Sequence, residues 1–139
     1  MPELVEGEAR RRFAGARVAR LATVDESGRP HLVPVVFARY GAEGIVTAVD
    51  HKPKTTPRLK RLRNIAAQPA VSLLVDDYDE NWDHLWWVRA DGVARVVPAD
   101  AAVIEPLREK YPQYRERPPG GPVILVTVSH WTGWQAAAA

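Results

Sequence analysis

The sequence predicts a mainly β protein, a closed or half-closed antiparallel barrel with short helices at its periphery. Six segments with strand character follow one another, mostly joined by turn-rich connections. Helical patterns are few and short, so the regular strand–helix alternation of a doubly wound parallel sheet is not seen. The length of 139 residues suits one domain with one core. We therefore expect a single domain over 1–139, with its core in 6–134.

The first half of the chain contains a short helix and three strands. The helix is predicted over 6–14, with Phe13 as its apolar anchor. Pro34 lies inside the second strand and has no N–H, which predicts an edge or a bulge there. The strands are predicted over 18–24, 31–39 and 45–49, separated by turn-forming segments at 25–30 and 40–44.

The second half contains two helices and three further strands. Thr56 followed by Pro57 predicts the start of a helix, because a threonine hydroxyl can cap the helix N-terminus and proline is favoured at the first helical position. This helix is predicted to run from Pro57 to about Ala66. Gly92 predicts a bend in the longest strand. The other elements are strands over 70–75, 85–97 and 123–129, a helix from Pro98 to about Tyr111, and an extended proline-rich loop over 112–122.

Composition excludes several classes of function. The chain has no cysteine, which excludes disulfides, cysteine-ligated zinc and iron–sulfur clusters. A formal net charge of +2 is too small to indicate a general nucleic-acid binder. No apolar run approaches the roughly 20 residues that span a bilayer, and the first residues lack the apolar core of a signal peptide. We therefore expect a cytoplasmic protein that binds neither membrane nor nucleic acid.

The segment 51–64 carries positive charge without any acidic residue. Its six cations are Lys52, Lys54, Arg58, Lys60, Arg61 and Arg63. On a helical wheel Leu59, Leu62, Ile65 and Ala66 share one face, and Lys60, Arg61 and Asn64 fall on the opposite face. Unpaired N–H groups at the helix start, with Lys52, Lys54 and Thr55 before it, predict a site for an anion such as phosphate. The alternative is a solvated cationic helix face.

The strand predicted over 85–97 separates into two faces by alternation. One face is apolar and is predicted to be core: Trp86, Val88, Ala90, Ala94 and Val96. The other face interleaves aromatic and charged residues: Leu85, Trp87, Arg89, Asp91, Val93 and Arg95. This mixture is typical of a subunit interface or a cofactor rim. The alternative is a partly exposed outer face of the barrel.

No residue pattern indicates catalysis by a protein side chain or a metal site. The four histidines are scattered without metal-ligand spacing, although His51 adjoins the cationic segment. The acidic segment 76–83 lacks the glycine and ligand order of a calcium loop. A G-x-S-x-G elbow is also absent. We therefore predict no catalytic residue and no metal ligand.

Four stretches together carry a family resemblance. They are LATVDESGRPHLVPVVF at 21–37, LKRLRNIAAQPAVSLLV at 59–75, LWWVRADGVARVV at 85–97 and HWTGW at 130–134. In this order they resemble the pyridoxamine 5'-phosphate oxidase-like, FMN-binding split-barrel superfamily. Within it the chain looks most like the actinobacterial branch of oxidoreductases that depend on the deazaflavin coenzyme F420. The resemblance implies a six-stranded antiparallel split barrel that forms a homodimer, with cofactor sites between the subunits.

The resemblance also implies roles for particular residues. Lys60 and Arg61 match the basic pair that holds the cofactor phosphate. Lys52 and Lys54 match the loop that approaches the phosphate or an anionic tail, and we add the adjoining His51 and Thr55. Trp87 matches a position that reaches the cofactor from the second subunit. The positions that match the lining of the cofactor ring are Pro34, Val35, Thr47, Ala48 and Val49.

The function implied is hydride transfer between the reduced deazaflavin and an unsaturated small-molecule substrate. The cofactor supplies this chemistry, which agrees with the lack of a predicted catalytic residue. One alternative is an FMN-dependent oxidoreductase of the same fold, and another is a non-catalytic flavin- or haem-binding protein. The Arg-x-His substrate motif of the vitamin-forming oxidases is missing after Gly133, which argues against oxidation of pyridoxamine phosphate. The sequence does not specify the substrate.

Overall fold

The computed structural model describes residues 3–49 and 59–137, with the side chain of Leu59 left out. Seven strands form one sheet: β1 (Ala19–Val24), β2 (Pro30–Val35), β3 (Ala38–Tyr40), β4 (Gly44–Ala48), β5 (Ala70–Asp77), β6 (Trp86–Val97) and β7 (Val123–Gln135). The helices are α1 (Glu6–Gly15), α2 (Leu59–Ala67), α3 (Ala101–Lys110) and α4 (Pro112–Glu116), with a 3-10 turn at Trp82–His84. No helix in the described part of the chain combines the length and hydropathy needed to cross a bilayer.

The order of the strands makes the sheet roll into a split barrel. Neighbouring strands pair antiparallel in the order β2-β1-β5-β6-β7-β4-β3, so β2 and β3 are the two edges. Only Val36 and Phe37 separate β2 from β3 along the chain. Such a link spans at most about 11 Å when extended, so the two edges must meet. We call this meeting line the seam.

Side chains satisfy the backbone groups at the seam, where no β-ladder joins the edges in the described residues. The Thr47 hydroxyl donates to the Val36 carbonyl oxygen at 2.7 Å. The Phe37 N–H donates to the Tyr111 hydroxyl oxygen at 3.1 Å. That hydroxyl also lies 2.9 Å from the carbonyl oxygens of both Phe37 and Arg17, and can donate its proton to one of them. The seam is thus closed by one residue of β4 and one that follows α3.

Two apolar clusters lie on opposite sides of the sheet. Inside the barrel, Phe13 of α1 is fully buried and packs against Phe37 and Trp131, with ring centroids 4.8 Å and 5.2 Å away. Outside it, Ile104 and Leu107 of α3 pack on the outer face of β3, β4 and β7. The outer face of β1, β2, β5 and β6 has no such cover among the described elements, and Leu32 there is 66% exposed.

Several sequence predictions are confirmed. A helix covers 6–15 with Phe13 buried, and β2 with Pro34 is an edge strand. The register of β6 on β7 shifts between Asp91 and Gly92, as the predicted bend requires. A Cβ at Gly92 would lie 2.3 Å from the Thr127 carbonyl oxygen, which explains the glycine.

Other predictions are wrong. The strand predicted over 31–39 is interrupted at the seam, so the sheet has seven strands rather than six. The last strand continues to Gln135 and includes the HWTGW stretch, and the predicted loop 112–122 contains α4. Val96 is 40% exposed rather than core. On α2, Asn64 is buried and Ala66 exposed, the reverse of the helical-wheel expectation.

Replacing Tyr111 with phenylalanine should destabilise the fold by about 1–3 kcal/mol, because buried backbone groups at the seam lose their partner. Urea unfolding measures the change. Tyr40→Phe, on a half-buried ring that packs against the same outer cluster, is the control and should have a smaller effect. Equal effects of the two substitutions would contradict the assigned role of Tyr111 at the seam.

Lys110 should make stability depend on pH. Its amine lies 3.8 Å from the Phe37 ring centroid, and burial, with Arg17 nearby, lowers its pKa from 10.5 to about 8. Below pH 8 both folded and unfolded chains carry the proton, and the folded chain bears the full cost of the buried charge. Between about pH 8 and 10.5 the unfolded chain binds more protons, so stability rises with pH.

Lys110→Met should therefore stabilise the protein at pH 7.5, and this advantage should shrink at pH 9.5. The measurement is the free energy of unfolding in urea for both proteins at both pH values. Taking the difference between the proteins cancels the titration of all other groups. The same difference at both pH values would show that the buried amine does not titrate as stated.

Candidate functional site

A small cavity lies where β2 ends at the seam, and we call it the seam cavity. Its volume is about 150 Å³. The residues that line it are Val18, Pro34, Val35, Val36, Ala48 and Arg61. Three segments of the barrel thus supply apolar walls, and α2 supplies a guanidinium. Because the ends of β2 and β4 and the start of β1 converge here, the cavity is a direct consequence of the split.

Four residues predicted for cofactor binding meet at this cavity: Pro34, Val35, Ala48 and Arg61. Two others do not line it. Thr47 is buried with its hydroxyl committed to the Val36 carbonyl oxygen, and Val49 is buried. Thr47 therefore does not contact the cavity but holds Val36, which lines it. The predicted loop residues His51, Lys52, Lys54 and Thr55 lie outside the described residues.

Lys60, the other member of the predicted basic pair, faces a different neighbour. Its ammonium lies 3.4 Å from Oδ2 of Asp25, in the turn between β1 and β2. The Arg29 N–H and the Ser27 hydroxyl and N–H donate to the Asp25 carboxylate, and with Lys60 they lower its pKa to about 2. Asp25 is therefore a charged partner for Lys60 throughout the physiological pH range.

The lining of the seam cavity combines apolar surface with one kind of charge. Arg61 is the one ionisable residue that lines it within 3–49 and 59–137. A single charged group in the wall of a cavity orients a bound molecule by its oppositely charged end. A guanidinium binds phosphate or carboxylate through two N–H groups at once. The Arg61 guanidinium therefore fits an anionic group, with aliphatic side chains beside it. At about 150 Å³ the cavity has room for part of a cofactor, since whole ligands occupy pockets of about 300–1,000 Å³.

Trp87 lies on a second concave surface, on the uncovered outer face of the sheet. This outer-face cavity has a volume of about 460 Å³. It is lined by Arg20, Ala22, Leu32, Ser72, Leu74, Asp76, Tyr78, Trp87 and Arg89. Arg89 lies over the Trp87 ring, 5.9 Å from its centroid. The predicted mixture of aromatic and charged residues is thus present on this face.

The two cavities belong to neighbouring parts of one surface. Strand pairing places Pro34 opposite Arg20, Arg20 opposite Leu74, and Leu74 opposite Arg89. Trp87 lies two residues from Arg89 on the same face, and it does not line the seam cavity of its own chain.

The histidines and acidic residues do not assemble a metal site in the described residues. His84 Nδ1 lies 3.1 Å from Asp79 on the exposed loop before β6. The Nδ1 atom of His31 is buried in β2 without a hydrogen-bond partner in the described part of the chain.

Sequence reasoning missed three residues near the site: Asp25, Lys110 and Tyr111. A signal existed for Asp25, since aspartate opening a D-x-S-G turn accepts hydrogen bonds from that turn. Nothing local distinguishes Lys110 or Tyr111, because α3 brings them to the seam from more than 70 residues away along the chain.

Comparison with known proteins identifies the family. The family model described as pyridoxamine 5'-phosphate oxidase matches residues 5–135, nearly the whole chain. The chain belongs to the pyridoxamine 5'-phosphate oxidase family. The resemblance noted in the sequence is thereby confirmed at the family level. No curated protein matches the sequence.

The names of several solved structures that are similar to this chain mention different ligands. The FAD binding protein from Mycobacterium smegmatis is 20% identical with a TM-score of 0.65, and the match covers 96% of this chain and 98% of that one. HutZ, the heme storage protein from Vibrio cholerae, is 19% identical with a TM-score of 0.70, covering 94% and 93%. An FAD-binding protein from Mesorhizobium loti is 20% identical with a TM-score of 0.67, covering 95% of each chain. At these identities the similarity establishes the fold alone.

Proposed function

We propose that this protein is an oxidoreductase that binds coenzyme F420, with its phosphate at the seam cavity, and transfers a hydride between the deazaflavin and an unsaturated small molecule. The observation that carries the proposal is the meeting of Pro34, Val35 and Ala48 with the Arg61 guanidinium around one cavity. Apolar strand residues offer a surface for a flat ring, and the guanidinium offers a partner for its phosphate. Membership of a family named for a flavin oxidase supports a redox cofactor.

The charge of segment 51–64 favours F420 over FMN within this proposal. The segment has six lysines and arginines and no acidic residue, and it leads into α2, which carries Arg61. FMN has a single phosphate, whereas F420 has a phosphodiester and a tail of several carboxylates. Cations beyond those needed for one phosphate suit the longer anionic chain. FMN remains the alternative cofactor, because its phosphate could bind the same guanidinium.

The bound cofactor would supply the hydride chemistry through its ring. The protein residues would hold the cofactor and orient it. Arg61 would bind the phosphate, and Pro34, Val35 and Ala48 would exclude water beside it. The one ionisable residue that lines the seam cavity in the described part of the chain is Arg61, to which we assign binding rather than proton transfer.

A second candidate function is cofactor storage without catalysis. One neighbour with a similar fold is named as a heme storage protein, which supports this alternative. The two functions differ in whether the bound cofactor is oxidised or reduced by a substrate.

We also propose that two copies associate through the uncovered outer face that contains Trp87. This face combines exposed apolar residues with both signs of charge, such as Arg20 and Asp76, so it can be complementary to itself across a two-fold axis. The partner's Trp87 would then be able to reach a seam cavity. In this arrangement the substrate enters a cleft between the subunits.

The decisive experiment titrates the purified apoprotein with F420, FMN and haem, side by side, followed by visible absorbance. The expected result is tightest binding of F420. Reduced F420 on the protein should then be reoxidised by an added quinone faster than in free solution. Preference for FMN supports the alternative cofactor, and binding without accelerated oxidation by any of a panel of quinones and unsaturated lactones supports storage. No binding of any of the three would contradict the proposal.

Arg61→Gln should weaken binding of the phosphate-bearing cofactor by about tenfold to a hundredfold, the cost of one charge-assisted contact. Binding of riboflavin, which lacks the phosphate, should change little. Arg63→Gln is the matched control: it removes an exposed cation from the same helix. Equal losses in the two variants would assign the effect to the general charge of the helix rather than to Arg61.

Trp87→Ala should weaken both dimerisation and cofactor retention, because the proposed interface loses its aromatic side chain. Sedimentation velocity over a range of concentrations measures the first, and absorbance after gel filtration measures the second. Trp82→Ala serves as control, since that ring is 75% exposed and does not line the outer-face cavity. A variant at Trp87 that stays dimeric and loaded would refute the interface.

A further inference from the structure

Helix α2 and the residue after it present a polar stripe to the β1–β2 hairpin. Lys60, Asn64 and Gln68 are spaced by four residues, so they lie on one side of the helix. The Asn64 amide donates to the Thr23 hydroxyl at 3.0 Å, and the Gln68 amide to the Asp25 carbonyl oxygen at 3.3 Å. With the 3.4 Å contact of Lys60 and Asp25, every residue of the stripe touches the hairpin. We call these three contacts the polar clasp.

The central contact of the polar clasp is buried. Thr23 is 1% exposed and Asn64 is 2% exposed, at a place where apolar residues such as Leu21 and Ile65 fill the core. A buried amide without its acceptor is costly, so any rotation of α2 that breaks this hydrogen bond is strongly opposed. A purely apolar contact could not specify the helix position as narrowly, because hydrophobic attraction has no direction.

The outer contact of the polar clasp is rigid for another reason. Asp25 accepts hydrogen bonds from two N–H groups and the hydroxyl of its own turn, at 2.8 to 2.9 Å. The carboxylate is thus fixed before Lys60 meets it. The hairpin therefore supplies two fixed acceptors, the Thr23 hydroxyl and the Asp25 carboxylate, that are two residues apart on β1 and its turn.

The clasp determines where Arg61 points. Successive residues of a helix are turned by about 100°, so the direction of Arg61 follows from that of Lys60. When Lys60 and Asn64 face the hairpin, Arg61 comes to line the seam cavity and Ile65 enters the core. A helix turned by one position would exchange these roles and remove the guanidinium from the cavity.

We propose that Thr23, Asp25 and Asn64 are positioning residues that set the recognition of the cofactor's anionic group by holding α2 in this rotation. The inference rests on the proposed function, in which Arg61 binds that group. It assigns different tasks to the basic pair: Arg61 binds the anion, and Lys60 holds the helix through Asp25. In this proposal the polar stripe supports the anion site, although Arg61 rather than a residue of the stripe contacts the ligand.

The test compares Thr23→Val with Thr23→Ser. Valine keeps the shape of threonine but removes the acceptor for Asn64, and serine keeps the hydroxyl. The measured quantity is the ratio of affinities for FMN and riboflavin, or for F420 and its ring fragment without phosphate and tail, well below the unfolding temperature. We expect Thr23→Val to lower this ratio by about tenfold, with binding of the phosphate-free ring unchanged, and Thr23→Ser to retain it. A wild-type ratio in Thr23→Val would overturn the positioning role.

Asp25→Asn gives an independent test in the turn between β1 and β2, should Thr23→Val fail to fold. If Asp25 positions Lys60, removal of its charge should lower the ratio by about threefold to fivefold. If Asp25 instead only competes with the ligand for Lys60, the ratio should rise, and this result would refute the clasp. Failure of the proposed function would give a different result. The wild-type protein itself would then bind the phosphate-bearing and phosphate-free rings with equal affinity. That result would also rule out the proposed role of the polar clasp.

Discussion

The closure of the sheet across Val36 and Phe37 is the constraint on which the rest of the structure depends. A link of two residues joins the two edge strands, so the sheet must curl until its edges meet. The edges do not pair as a ladder in the described residues, and their backbone groups need other partners. Thr47 and Tyr111 provide them. Tyr111 directly follows α3, and its hydroxyl bonds the seam. The packing of α3 against the sheet and the closure of the barrel therefore depend on each other.

The split also provides the candidate site. In a fully closed ladder, strand-to-strand hydrogen bonds would leave no gap at the end of β2. Here Pro34, which cannot donate a backbone hydrogen bond, lies at the free edge, and the adjoining gap holds the seam cavity. The α2 helix enters from the other side and contributes Arg61. The same feature therefore determines both where the barrel is incomplete and where the seam cavity lies.

Helix α3 covers one part of the outer surface of the sheet and leaves the other part uncovered, and this difference is relevant to the proposed dimer. Helix α3 covers β3, β4 and β7 with apolar contacts. The face of β1, β2, β5 and β6 carries aromatic and charged residues in alternation and stays uncovered in the described chain. A surface of this composition is neither a normal core nor a normal solvated face. The proposed dimer would cover it and bring Trp87 to a neighbouring site.

Much of the fold could be predicted from the sequence alone because it depends on local patterns, whereas part of the candidate site was predicted through the family resemblance. Alternation indicated most of the strands, turn-forming residues indicated the hairpins, and Pro34 indicated an edge strand. The family resemblance predicted that Pro34, Val35, Ala48 and Arg61 bind one cofactor. The structure places these four residues around one cavity. Only the tertiary structure decided the interruption at Val36 and the partners of Lys60 and Asn64. Those depend on contacts between distant segments: a helical wheel shows which residues share a face, but the hairpin on which α2 rests decides which face is buried.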